Sequence, residues 1–262
     1  MLGWSINLFR IFGIQLAVHA SFFLLLAYAG YEGWADGGLP GLLWSLGLIT
    51  LFFVCVILHE LGHSLTAQRY GVRVSRILLL PIGGMAEFDR IPRNPVQELL
   101  ITVAGPAVNF VLAALLFALA WRGLVNVGEA PVHSFASLLD TLWFWNLVMG
   151  AFNLLPVFPM DGGRILRALL AFKMPYLRAT YWAALVSKIL APLFACIAFF
   201  VLDWKMVGVL FLFILFVGDA EYKQALRRDQ EERYWAELAR QATATGPAPA
   251  DEEPPFLRHG PN

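Results

Sequence analysis

Residues 51–63 read Leu51-Phe52-Phe53-Val54-Cys55-Val56-Ile57-Leu58-His59-Glu60-Leu61-Gly62-His63. An uncharged apolar run ends in two imidazoles and a carboxylate. On a helix, positions i and i+4 share a face, so His59 and His63 can reach one metal ion. Glu60 between them can act as general base on a metal-bound water. Ionisable groups at the end of an apolar span cost free energy unless paired or ligated, which marks them as functional. The plainer alternative is a polar patch lining a helix–helix contact.

The rest of the chain fits a bilayer. Of 262 residues, 59% are hydrophobic and 15% charged. Soluble domains sit near about 45–50% apolar and about 25% charged. This balance excludes a disordered chain, a nucleic-acid-coating protein and most soluble enzymes. Net charge is zero, so no nucleic-acid partner is expected. Cys55 and Cys196 both lie in apolar runs and form no disulfide framework.

A spanning helix needs about 20 apolar residues. Six spans are predicted, at about 11–31, 37–68, 98–121, 138–160, 180–202 and 204–218. The first lacks a convincing cleavage site and is expected to be retained. Asp203 and Lys205 separate the last two. One long helix would leave both charges in mid-bilayer, at about 2.5–3.5 kcal/mol each. Arg69, Arg73, Arg76, Arg90 and Arg93 lie on one side, as do Arg164, Arg167, Lys173 and Arg178 and the basic residues after 218. The positive-inside rule then puts both termini in the cytoplasm of a multi-pass cell-membrane protein. The fold class is all-α integral membrane, with a small membrane-associated β-hairpin between the second and third spans. Residues 1–220 form the polytopic core, 221–242 a cytoplasmic surface helix and 243–262 a disordered tail.

A catalytic zinc usually has three protein ligands and one open position. Asp161, in Asn153-Leu-Leu-Pro-Val-Phe-Pro-Met-Asp161-Gly-Gly163, is the best third ligand, at the depth of His63 by this topology. Its alternative role is capping the helix that begins near Gly162. Asn109 follows Gly105-Pro106 inside the third span. It can donate to a developing oxyanion or to substrate, or join two helices. Residues 72–89 read as strand, turn, strand through Pro81-Ile82-Gly83-Gly84. That edge can accept an extended peptide as an added strand, or the segment is an ordinary surface hairpin. His19 is expected to pack or hydrogen-bond between helices. Cys55, one turn before His59, is expected to be a small apolar contact.

Together these residues resemble the site-2 proteases, the intramembrane zinc metalloproteases, over most of 10–218. The anchors are His59-Glu60-x-x-His63, the Gly83-Gly84 turn, Gly105-Pro-x-x-Asn109 and Asn153-Leu-Leu-Pro…Met-Asp161-Gly162. The resemblance implies one zinc ion on His59, His63 and Asp161, with Glu60 as catalytic acid/base. It implies a re-entrant β-element at Gly83 and Gly84 that guides substrate, and a substrate-holding role for Asn109, with Asn153 in the same motif set. The substrate class implied is a membrane protein cut in or near its transmembrane segment, such as a membrane-tethered regulator or anti-sigma factor. With no inserted PDZ module, the chain resembles the compact six-span branch. It is too short for the CBS domains many of those members carry. The competing class is a non-proteolytic metal protein, an inactive relative or a transporter. A transporter needs ligands at successive depths, whereas these cluster at one.

Overall fold

The computed structural model describes residues 4–89, 92–119 and 134–245. The chain divides into two units, Met1–Leu155 and Pro156–Asn262.

The first unit begins with two strands, β1 (Ser5–Ile11) and β2 (Ile14–His19). They pair antiparallel across a two-residue turn, with Ile11 opposite Ile14. Both turn residues have positive φ, 51° at Phe12 and 81° at Gly13. That is the backbone of the hairpin turn whose twist matches its strands. Helix α1 (Ala20–Arg69) follows, then β3 (Val74–Leu80) and β4 (Gly83–Phe88). β2 pairs parallel with β3, and β3 antiparallel with β4, giving the order β1-β2-β3-β4. Helices α2 (Pro95–Leu119) and α3 (Phe135–Asn153) complete the unit.

α1 is two limbs. Gly37 and Gly38 are non-helical, with φ −151° and 60°, and Pro40 follows. Gly38 supplies a conformation that a side chain resists. The limbs then fold back on each other. Phe22 meets Phe53 edge-on at 4.6 Å between ring centroids. Nearer the bend, a Cβ on Gly33 would strike the carbonyl of Gly41. The predicted break between the first two spans is therefore present, near the expected residue. His19 sits at the head of α1, where its Nδ1 accepts from Ser21 N at 3.2 Å and caps the helix.

Three expectations need correction. Residues 11–19 are not the start of a span: α1 begins at Ala20. Ile14, Leu16 and Val18 are buried in one core with Ile77, Leu79, Phe53 and Val56. A central strand covered on both faces reads as a continuous apolar run, and such a run cannot be told from a helix by pattern alone. The predicted hairpin over 72–89 is real but does not stand alone, because β3 also pairs with β2 in a four-stranded mixed sheet. The fourth predicted span also shortens. α3 ends at Asn153, and the chain is irregular up to Asp161, as two prolines in 154–160 require. Among the described residues, α1, α2, α3 and the later α5 (Tyr176–Phe200) are long and apolar enough to cross a membrane. The end of the third predicted span and the tail from 246 lie outside the described residues.

The second unit contains α4 (Asp161–Ala171), α5 and α6 (Lys205–Thr245). α5 and α6 are separate helices, and Asp203 between them has φ 52°. α5 buries Ala179, Ala183, Ala184, Ala191, Ala195 and Ala198. Small side chains let helix backbones approach closely where lipid gives no hydrophobic drive. α6 runs unbroken through residue 220. Glu221 on it takes Arg164 Nη2 at 3.1 Å and Arg167 Nη1 at 3.4 Å. The Arg167 guanidinium also lies over the rings of Phe158 and Tyr176, at 5.2 and 5.1 Å.

Burial pushes the Glu221 carboxyl up, but the charges and hydrogen bonds of Arg164 and Arg167 outweigh it and hold the carboxyl below its ordinary 4.5. A depressed carboxylate contributes stability above its unfolded pKa and loses it as pH falls through the folded value. Glu221→Gln should therefore melt a few degrees below wild type at pH 7. Thermal scans should show that gap closing as the pH is taken below 4.5. A gap independent of pH would mean the ion pairs contribute nothing.

Candidate active site

His59 and His63 lie one turn apart on the second limb of α1, both buried. Their rings are nearly perpendicular, and the two Nε2 atoms face each other at 3.1 Å. The limb crosses α2 closely. A Cβ on Gly62 would stand 2.8 Å from the Ala104 carbonyl oxygen. On the other helix, a Cβ on Gly105 would strike the His63 imidazole. Glycine at these two positions is what lets the imidazole lie flat between the backbones.

Each histidine is oriented from its far side. His63 Nδ1 donates to the main-chain carbonyl of Ile101 at 2.8 Å. His59 Nδ1 donates to Oδ1 of Asn109. Both acceptors are oxygens that can only accept. A neutral ring so held carries its proton on Nδ1 and a lone pair on Nε2. Two lone pairs facing at 3.1 Å repel unless a cation lies against both. Tetrahedral zinc, with imidazole nitrogens at about 2.0–2.1 Å, separates such nitrogens by about 3.3 Å. The donor set fits that ion. Asp161, in the second unit, offers a carboxylate, the third kind of ligand that such zinc sites use.

Asp161 is the first residue of α4. The cap position belongs to Met160, whose side chain makes no capping bond. Asp161 lies in the first turn, where a negative charge complements the helix N-terminus. The glycine two residues on has a steric reason: a Cβ on Gly163 would stand 2.7 Å from Phe158 N. Phe158 N in turn donates to Ser187 Oγ at 2.8 Å, which ties the loop before α4 to α5.

Glu60 points toward the sheet. Its Oε2 accepts from Ala86 N at 3.2 Å. Ala86 lies on β4, at the rim of the sheet. Since its N–H goes to Glu60 and not to β3, it faces the unpaired edge, and so does Gly84 two residues before it. A Cβ on Gly84 would stand 2.7 Å from Glu60 Cγ, so only glycine lets strand and carboxylate meet this closely. Gly83 opens the strand with φ 139°, a conformation glycine adopts freely.

The weaker sequence candidates are placed as follows. Asn109 is fully buried, with its amide shared between His59, Asn146 and the Met149 sulfur. Asn153 is the last, partly buried residue of α3. Cys55 is buried, and its sulfur accepts from Asn146 Nδ2 at 3.3 Å. Asn146 itself was not foreseen. A lone carboxamide within Trp143-Phe144-Trp145-Asn146-Leu147-Val148 was the available signal.

Known proteins resemble this chain over most of its length. The model of peptidase family M50 matches residues 47–129 and 120–194. A zinc metalloprotease of Methanocaldococcus jannaschii is 41% identical over 84% of this chain and 61% of its own. Stage IV sporulation protein FB of Bacillus subtilis is 32% identical over 69% of this chain and 62% of its own. The chain thus spans less than two thirds of these curated relatives. The solved structure of the site-2 protease from M. jannaschii superposes with a TM-score of 0.61, covering 84% of this chain and 95% of that one at 40% identity.

Gly105→Ala places a methyl where the His63 ring lies. Its affinity for a divalent metal, measured by competition with a chromophoric chelator, should fall about 10-fold or more, the usual effect of disturbing what orients a ligand. An unchanged affinity would remove His63 from the metal site.

Proposed function

The chain belongs to peptidase family M50, the site-2 proteases, and from that membership we propose that it is a zinc-dependent endopeptidase working inside the membrane. The observation that carries this is the pair of Nε2 atoms of His59 and His63 facing each other at 3.1 Å, with the Glu60 carboxylate on the same helical turn. His59, His63 and Asp161 would hold the metal. A zinc ion there supplies Lewis acidity to a peptide carbonyl and acidifies water. Glu60 takes the proton from the attacking water and later delivers it to the leaving amine.

The substrate is the transmembrane segment of another membrane protein. A helical peptide bond is shielded by its own hydrogen bonds and by lipid, so the segment must first unwind. The outward edge of β4 offers backbone donors and acceptors to the extended stretch. A strand added there, along Gly84 and Ala86, passes directly beside Glu60. Gly83 shapes the start of that edge. Six crossings follow from the two limbs of α1, α2, α3, α5 and the first part of α6, with both termini cytoplasmic. The alternation of basic loops supports this orientation. Membrane-tethered regulators and anti-sigma factors have the right chemistry as substrates.

The wild type and two variants test the assignment. Detergent-purified wild type should carry one zinc per chain, and Asp161→Ala should lose most of it. Glu60→Gln should keep its zinc, yet its cleavage of a reconstituted transmembrane substrate should fall at least about 10²-fold, as when a general base is removed. Zinc retained in full by Asp161→Ala would leave the third ligand elsewhere. Cleavage retained by Glu60→Gln would sink the base assignment. A folded wild type without zinc would favour an inactive relative.

A further inference from the structure

Three polar side chains from three helices form one directed chain of hydrogen bonds inside the first unit. It starts at a group with a single possible role, the main-chain carbonyl of Leu142, which can only accept. Asn146 Nδ2 donates to that carbonyl at 2.8 Å. This turns the Asn146 oxygen the other way, where it accepts from Asn109 Nδ2 at 3.0 Å. The Asn109 oxygen is therefore the atom left to face His59 Nδ1. Asn146 and Asn109 are both fully buried, so water does not compete for these bonds.

A carboxamide turned by 180° keeps its shape and exchanges donor for acceptor. Asn109 turned in this way would present Nδ2 to His59. The imidazole would then have to accept at Nδ1 and carry its proton on Nε2, the atom that faces His63. The Met149 sulfur, 3.4 Å from Asn109 Nδ2, is a weak acceptor and opposes that turn only weakly. His63 needs no such safeguard, because its partner is a main-chain carbonyl.

We propose that Asn146 is a positioning residue: anchored on Leu142, it locks Asn109 oxygen-first against His59 and so keeps the His59 tautomer that binds metal. The proposal rests on the reading of His59 as a ligand, and the experiment separates the two. The full chain is purified in detergent. Zinc affinity is read by chelator competition, and ligand geometry by the visible absorption of the cobalt(II) form.

Asn146→Leu should lower zinc affinity about 10- to 100-fold, as loss of a ligand's orienting partner does. It should also alter the cobalt bands. Asn146→Asp keeps an oxygen toward Asn109 and should bind zinc almost as wild type does. The decisive variant is Asn109→Asp combined with Asn146→Leu. A carboxylate presents an oxygen to His59 whichever way it turns, so zinc affinity should return. Melting of the metal-free proteins checks the fold, and Asn146→Ala replaces Asn146→Leu should the latter not fold. Wild-type affinity in Asn146→Leu overturns the proposal. So does a double variant as weak as the single one, which is what lost packing alone would produce. A wild type that binds no zinc defeats the ligand reading, and the relay with it.

Discussion

An imidazole cannot be left to find its own orientation in an apolar span. Each ring nitrogen must be either donor or acceptor, and a misplaced proton removes a lone pair. In this protein that constraint is met by bringing α1 and α2 so close at Gly62 and Gly105 that a carbonyl and an amide of α2 reach both Nδ1 atoms. α3 then has to supply Asn146 behind Asn109. The packing of three helices thus follows from the protonation state of two rings. Bulk at either glycine would separate the backbones, and the hydrogen bonds would go with them.

The sheet answers a second need. A carboxylate on an apolar helix needs a hydrogen-bond donor to rest against. Glu60 lies one residue from His59 but on a different face of the helix, and β4 supplies the group it rests on. The same helical turn therefore presents two imidazoles on one face and a carboxylate to the sheet edge on another. Gly84 is the counterpart of Gly105: both are positions where a strand or helix gives up its side chain so that a functional group fits against backbone.

Much of this was legible in the residues. The spacing of His59 and His63 is a property of helix geometry. The strand–turn–strand at 72–89 carries local signals strong enough to read, whereas the bend of α1 falls at Gly37 and Gly38, inside the second predicted span. The two N-terminal strands were not legible, because β2 is buried among apolar groups and its alternation is erased. Their pairing with β3 is also non-local, with Gln15 opposite Arg76 and Val18 opposite Leu79. Asn109 could be seen as a polar residue at a helix break. Whether it faced substrate, another helix or a histidine depends on packing that no local pattern encodes. Asn146 was hidden for the same reason.

The parallel pairing of β2 with β3 also constrains how the protein is made. Its crossover is the whole of α1. During synthesis the β1–β2 hairpin emerges first, closed by its own tight turn. The partner of β2 follows only after both limbs of α1 have been produced. Until then the inner edge of β2 is an unpaired apolar template, the kind that recruits foreign strands. Closing the sheet also carries the loop-closure entropy of a long separation, which slows non-local pairing. The two limbs of α1 shorten that search, because their antiparallel packing returns the chain to the end it left. The helical hairpin is therefore an assembly jig for the sheet. A lesion at its Gly33–Gly41 contact would first be felt as strands that fail to meet in time, far from the residues altered.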